Sequence, residues 1–91
     1  MTTNKKQINV SIVIPCYNEA EGVTDSLDEI FETLNEKNDF EIITINDGSI
    51  DKTLVLLKEY ALHRPQVRVV NNISNLGYGA SLKKGIRQAK G

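Results

Sequence analysis

The sequence has no tryptophan, one cysteine and two prolines among 91 residues. A single cysteine, Cys16, cannot close an internal disulfide, which excludes a small secreted scaffold held by bridges. No apolar run approaches the roughly 20 residues of a membrane-spanning helix. The stretch behind the basic pair Lys5-Lys6 is apolar only over residues 10–14, with Ser11 inside it and Pro15 closing it. It is too short and too interrupted for the core of a signal peptide. Charge of one sign is missing too: 11 basic against 12 acidic residues leave a net charge of −1. A nucleic-acid clamp would carry a basic excess, so nucleic acid is not an expected partner. What remains is 40% apolar and 25% charged, the composition of an ordinary globular domain. A chain of this size buries only about 60–65% of its unfolded surface, so its core is thin.

The apolar pattern alternates between two periods. Ile8, Val10, Ile12 and Ile14 recur at period two, with Val13 adding apolar character to the other face, which predicts a buried strand that Pro15 ends. Val23, Leu27, Ile30, Phe31 and Leu34 form one helical stripe. Asn18 fits as its N-cap, with Glu21 three residues on as capping-box partner. Phe40, Ile42, Ile43 and Ile45 predict a second strand, followed by the turn cluster Asn46-Asp47-Gly48-Ser49. Leu54, Leu57 and Ala61, widened by Leu56 and Tyr60, mark a second helix that Pro65 ends near His63 or Arg64. Val67, Val69 and Val70 give a third strand. Leu82, Ile86 and Ala89 give a third helix, for which Gly91 suits the C-terminal cap. The order βαβαβα predicts an α/β fold with a Rossmann-like parallel sheet, three layers α/β/α, strands in spatial order 3-2-1 and helices on both faces. Residues 1–7 read as a flexible tail and residues 8–91 as the folded unit.

In open α/β sheets ligands bind beyond the carboxyl ends of the strands. The segments there are Pro15-Cys16-Tyr17-Asn18-Glu19, Asn46-Asp47-Gly48-Ser49-Ile50-Asp51 and residues 71–79. Together they carry an aromatic ring, several carboxylates and a glycine-bearing loop. A ring stacks a base, and an ionised carboxylate accepts from base N–H groups or ribose hydroxyls. Each feature also has a purely structural reading. Tyr17 can pack at a strand end, and Asp47-Gly48-Ser49 satisfies a turn with Ser49 as helix cap. Glu19, Glu21 and Asp51 complement helix dipoles. Nothing beside Cys16 or His63 suggests reactivity, and Cys16 reads as a small buried side chain.

Three segments carry a resemblance. Ser11-Ile12-Val13-Ile14-Pro15-Cys16-Tyr17-Asn18-Glu19 resembles the opening motif of family 2 glycosyltransferases of the GT-A fold, the group that includes dolichol-phosphate-mannose-synthase-like enzymes. Asn46-Asp47-Gly48-Ser49-Ile50-Asp51-Lys52-Thr53 is similar to its second motif, Asp-Asp-Gly-Ser-x-Asp-x-Thr, with Asn46 in place of the first aspartate. Asn75-Leu76-Gly77-Tyr78-Gly79-Ala80, with Gly85, Ala89 and Gly91, is similar to its third. The resemblance implies that Pro15 and Tyr17 line a base pocket, with Asn18 and Gly48 beside them. It implies that Glu19 reaches the ribose, that Ile45 gives a packing or backbone contact, and that Asp47 accepts from the base ring N–H. Gly77 and Gly79 would admit the ligand to the backbone, and Lys83 or Lys84 would face phosphate.

It further implies transfer of a sugar from a UDP- or GDP-sugar to an acceptor hydroxyl or lipid phosphate, in cell-wall, polysaccharide or glycolipid synthesis. The family's metal-holding Asp-x-Asp pair, for magnesium or manganese, and its catalytic base are expected beyond residue 91. On this reading the chain is the nucleotide-binding half of a truncated domain, inactive alone, with no catalytic and no metal-binding residue of its own. It would form a homodimer through its exposed first strand. The whole enzyme would be cytoplasmic, with attachment to the cytoplasmic face of a membrane as a variant. The alternative is a non-catalytic α/β nucleotide-binding or interaction module. A dinucleotide fingerprint fails because Leu82 stands where a third small residue belongs, and no Gly-Lys-Ser/Thr marks a P-loop.

Overall fold

Period-two apolar segments pair, and period-3.6 segments cover them. The computed structural model describes residue 8 and residues 10–34, 39–72 and 76–90. The tail 1–7 and the cap at Gly91 lie outside the described residues. Strands β1 (Val10–Cys16), β2 (Phe40–Asp47) and β3 (Val67–Asn72) alternate with helices α1 (Val23–Leu34), α2 (Thr53–Leu62) and α3 (Tyr78–Gln88). The sheet order is β1-β2-β3, and both pairs are parallel. Ile12 lies opposite Ile42, and Ile42 opposite Val67. Order, direction and strand positions agree with the sequence reading. Every residue of β2 is buried, as expected of a central strand covered on both faces.

Pro15 does not end β1, which continues to Cys16. The Val10 amide donates to the Asp39 carbonyl, and ladder groups alternate sides along a strand. The even-numbered residues therefore bond to β2, while Ser11, Val13 and Pro15 present their backbone groups outward. Among the described residues β1 is an edge, and its outward side is where a proline, lacking an N–H, leaves the ladder intact.

The two faces are built differently. On one, Val23 and Leu27 of α1 and Leu57 of α2 join Cys16, Phe40, Ile42 and Val67 in the main core. Phe31 meets Phe40 edge-on at 5.4 Å, and the Arg64 guanidinium covers the Phe31 and Tyr60 rings at 5.5 and 5.1 Å. α2 ends at Leu62 with His63 as its cap, where Pro65 placed it.

On the other face lies α3. Its expected stripe, Leu82, Ile86 and Ala89, is not what seats it: Ile86 is 59% exposed, and Leu82 and Ala89 are only half-buried. Ser81 and Gly85 face the sheet instead. A Cβ on Gly85 would overlap the side chains of Val13 and Ile45, so the helix sits closer than Leu and Ile at those positions would permit. Both ends of α3 are tied to carboxylates of β2. At its start Asp47 accepts the Gly77 amide at 2.9 Å, and near its end Glu41 accepts the Lys90 amide at 2.5 Å. Arg68 of β3 donates to the Gln88 carbonyl and pairs with Glu41 at 3.3 Å. Ser11 donates to Glu41 at 2.6 Å.

This close approach gives a stability test. Gly85→Ala gains about 1 kcal/mol of helix propensity but forces an overlap of a kind that costs about 1–3 kcal/mol. A net loss in urea unfolding is expected. Gly79→Ala, where an added Cβ meets nothing within 4 Å, should be neutral or stabilising.

Candidate functional site

The parallel register aligns the strand ends, with Pro15 opposite Ile45, Cys16 opposite Asn46, and Asp47 opposite Asn72. The three segments that follow therefore emerge at one carboxyl edge. Hydrogen bonds then tie them together in pairs.

The first tie joins the loop after β1 to the loop after β2. The amides of Asn18, Glu19 and Ala20 donate to Ser49 Oγ at 2.9 Å, Thr53 Oγ1 at 2.8 Å and Asp51 Oδ2 at 3.2 Å. In return the Ile50 amide donates to Asn18 Oδ1 at 2.8 Å. Asn18 takes the left-handed conformation, φ 51°, which asparagine tolerates better than most residues. The expected capping box is thus corrected. α1 begins at Val23, and Asn18 bonds to the second loop rather than to α1. The roles expected of Ser49 and Asp51 are corrected too. Ser49 serves the first loop. Asp51 does more than complement a dipole: its Oδ1 accepts the Thr53 amide at 2.9 Å and the Thr53 hydroxyl at 2.5 Å. Those bonds, the hydroxyl's foremost, hold the Asp51 carboxyl below its ordinary range.

The second tie joins the end of β2 to the loop after β3. Asp47, 3% exposed, accepts the Leu76 amide at 2.7 Å, the Gly77 amide at 2.9 Å and Asn72 Nδ2 at 3.1 Å. Burial opposes its ionisation, but these donors and the Ser81 hydroxyl outweigh that and lower its pKa. Asn72 also donates to Ser81 Oγ at 3.1 Å and accepts from Lys84 Nζ at 2.6 Å. A base N–H reaches Asp47 only by displacing one of its present donors. Gly48 and Gly77 have φ of 73° and 91°, left-handed values that glycine adopts without strain.

Among the other expected site residues, Tyr17 is 47% exposed and its amide donates to Glu19 Oε1 at 3.3 Å. Pro15 is half-buried, and Glu19 is exposed. Ile45 is fully buried, so its side chain supports the site from within the core. Lys83 is exposed, whereas Lys84 turns to Asn72. Asn46 Nδ2 donates to Asn71 Oδ1 at 2.8 Å, and its buried Oδ1 has no partner. Cys16 is buried, and burial, with the Glu19 carboxylate adding to it, pushes its thiol up to about 12. Burial thus favours the neutral thiol. Asn72 and Ser81 were not singled out by sequence reasoning, and their only signal was position at a strand end and on a helix start. A cavity of about 410 Å³ opens at the opposite, amino edge, lined by Glu41, Arg68 and Lys90 among others, and contains none of the motif residues.

The sheet is parallel, and its strand-end loops are laced together at one carboxyl edge, where open α/β folds place their ligands. A sequence model described as glycosyl transferase family 2 matches residues 11–91, and the chain belongs to that family. It is 35% identical over 91 residues to a dolichyl-phosphate β-glucosyltransferase of Trichomonas vaginalis, covering 93% of this chain and 27% of the relative. It is 35% identical to a poly(ribitol-phosphate) β-glucosyltransferase of Bacillus spizizenii, covering 92% of this chain and 13% of the relative. The mannosyltransferase of Pyrobaculum calidifontis, solved in complex with GDP-Man and Mn2+, superposes with a TM-score of 0.81 at 25% identity, over 91% of this chain and 25% of that one. The chain thus spans about a quarter of the length of the first two curated relatives it matches, 27% and 29%.

Asp47 and Glu41 both have pKa values lowered by folding. For Glu41, burial again opposes ionisation and is outweighed by Ser11, the Lys90 amide and Arg68. Carboxylates with depressed folded-state pKa values contribute stability that is complete above their unfolded values, about 3.9 and 4.3. That stability is lost as pH falls through the folded-state values. Asp47→Asn should therefore flatten the acid limb of a stability–pH curve. At neutral pH it should cost about 1–3 kcal/mol, because one loop amide loses its acceptor. Urea titrations between pH 3 and pH 7 measure both.

Proposed function

We propose that the chain is the nucleotide-binding half of a glycosyltransferase domain that uses a nucleotide-diphospho-sugar. The observation that carries this reading is the cross-tied carboxyl edge, where an exposed Tyr17 ring stands on a loop held at Asn18, Glu19 and Ala20. In this reading the base stacks on Tyr17 against Pro15. Glu19, whose Oε1 already accepts the Tyr17 amide, turns its carboxylate to the ribose hydroxyls. Asp47 accepts the base ring N–H in exchange for one of its loop donors, with Gly48 and Asn18 shaping the wall. Lys83 and Lys84 stand on the helix that begins at the third loop, and a free ammonium there serves the diphosphate.

The complex of the Pyrobaculum calidifontis mannosyltransferase with GDP-Man and Mn2+ supports a UDP- or GDP-sugar donor. The dolichyl-phosphate and poly(ribitol-phosphate) enzymes support a lipid-phosphate or polymer hydroxyl acceptor, and with it work at the cytoplasmic face of a membrane. Among the described residues no helix is long and apolar enough to cross a membrane. A divalent metal belongs to this chemistry, where it stabilises the leaving diphosphate. Among the described residues no three His, Cys, Asp or Glu side chains come together to hold one, and the acceptor positions of Asp47 are filled. These residues do not fit the metal. Their task is to bind and orient the nucleotide.

Titration calorimetry with UDP and GDP tests the reading. The 91-residue chain should bind at least one of them. Tyr17→Ala should lose about 1–3 kcal/mol, the scale of a base stacked on an aromatic ring. An unbound parent chain at millimolar nucleotide, or an unaffected variant, would reject it. With a labelled sugar nucleotide the chain alone should show binding without transfer. Among the described residues β1 lies at the edge of the sheet, a position that supports self-association of the isolated chain, so light scattering should give twice the monomer mass. A monomer would reject that part.

A further inference from the structure

The second sequence motif contains Ser49, Asp51 and Thr53 at every second position. The first contains three successive amides, those of Asn18, Glu19 and Ala20, and each donates to one of these three side chains. We infer that Ser49, Asp51 and Thr53 are positioning residues, a comb of three acceptors that aims Tyr17 and Glu19 at the nucleotide.

The geometry argues for this over three unrelated helix-start residues. Thr53 is fully buried, and its hydroxyl is used twice, accepting from Glu19 and donating to Asp51. Asp51 divides its two oxygens between the loops, Oδ2 to Ala20 and Oδ1 to Thr53. Asn18, in its left-handed conformation, ties the pair from the other side by accepting the Ile50 amide. The Thr53 hydroxyl both accepts and donates within the protein, and Ser49 Oγ and both Asp51 oxygens accept from protein donors, so these three side chains are placed to act on a ligand through Tyr17 and Glu19. A loop already ordered in the free protein avoids the entropy loss that would otherwise weaken binding.

The inference rests on the nucleotide reading of Tyr17, and the experiment separates the two. Nucleotide affinity is measured by calorimetry for the 91-residue chain and for Thr53→Val, Tyr17→Ala and the double variant. Valine keeps the shape of threonine and removes the hydroxyl. Thr53→Val should weaken UDP or GDP binding roughly tenfold, the scale of one uncompensated hydrogen bond. In the Tyr17→Ala background it should change affinity little, since residues acting through one another are not additive. Thr53→Ser should restore binding, and the Glu19 amide should exchange faster with solvent in Thr53→Val than in Thr53→Ser.

Equal losses in both backgrounds would overturn the inference, because Thr53 would then act independently of Tyr17. No loss on Thr53→Val in the chain that keeps Tyr17 would overturn it as well. If Thr53→Val does not fold, Ser49→Ala with Ser49→Thr as the restoring variant carries the same cycle. Failure of the nucleotide reading itself shows differently: Tyr17→Ala alone then binds as the parent does, whatever stands at position 53.

Discussion

A central parallel strand covered on both faces leaves no water for its side chains, and β2 carries four polar ones. Glu41, Thr44, Asn46 and Asp47 are each 3% exposed or less. An unpaired buried polar group costs on the order of 1–3 kcal/mol, so each must find partners inside the fold, and the partners they find build the architecture. Thr44 donates to the Arg68 carbonyl across the sheet at 3.2 Å. Asn46 reaches Asn71 on the strand beside it. Glu41 gathers Ser11, Arg68 and the Lys90 amide. Asp47 gathers Asn72 and the amides that open α3. The two carboxylates face the same side of β2, six positions apart, and so clasp the two ends of one helix. The one at the helix start also lies where the dipole favours a negative charge.

This clasp explains why α3 can pack on small side chains. A helix held only by apolar burial needs large residues on its inner face. α3 is held at both ends by charge-assisted hydrogen bonds, so Ser81 and Gly85 can bring its backbone close to Val13 and Ile45. The close approach in turn keeps Ser81 within reach of Asn72 and sets the start of the helix, with Gly77 in its left-handed conformation, beside Asp47. Packing on this face and the shape of the third loop are therefore one constraint, and a change at Gly85 is felt at the carboxyl edge.

What the sequence made legible follows from period. Ile8 to Ile14 and Phe40 to Ile45 alternate, Val23 to Leu34 recur at helical spacing, and the parallel order with aligned strand ends follows from βαβ connection rules. The motif-bearing loops could be placed at one edge on that basis alone. Local rules failed where long-range bonds displaced local ones. Asn18 has the composition of an N-cap, yet Ser49 and Ile50, more than thirty residues away, offer it partners on both its amide and its side chain. Ile86 completes a helical stripe, yet the clasp turns a narrower face to the sheet. Pro15 reads as a strand stop, but on an outward-facing edge position it leaves every bond to β2 intact. Glu41, a charge among the apolar residues Phe40, Ile42 and Ile43, is the sequence signal that could have marked the amino-edge cluster. Family resemblance supplied the roles of Tyr17, Glu19 and Asp47, which periodicity could not.

The same accounting of partners narrows what remains for a ligand at the carboxyl edge. Ser49, Asp51, Thr53 and Asn18 are bound to one another's loops. Asp47 already accepts the third loop, and Cys16 is held in its neutral form by burial. Among the groups turned outward are the Tyr17 ring and the Glu19 carboxylate. In the proposed nucleotide reading, recognition would rest on the aromatic face of Tyr17 and the carboxylate of Glu19. Selectivity then depends on where those two groups point, which the bonds beneath them determine. Substitutions in the second motif should accordingly reach the ligand through the first, and the density of internal hydrogen bonds at this edge is the physical reason that neither loop can be altered independently of the other.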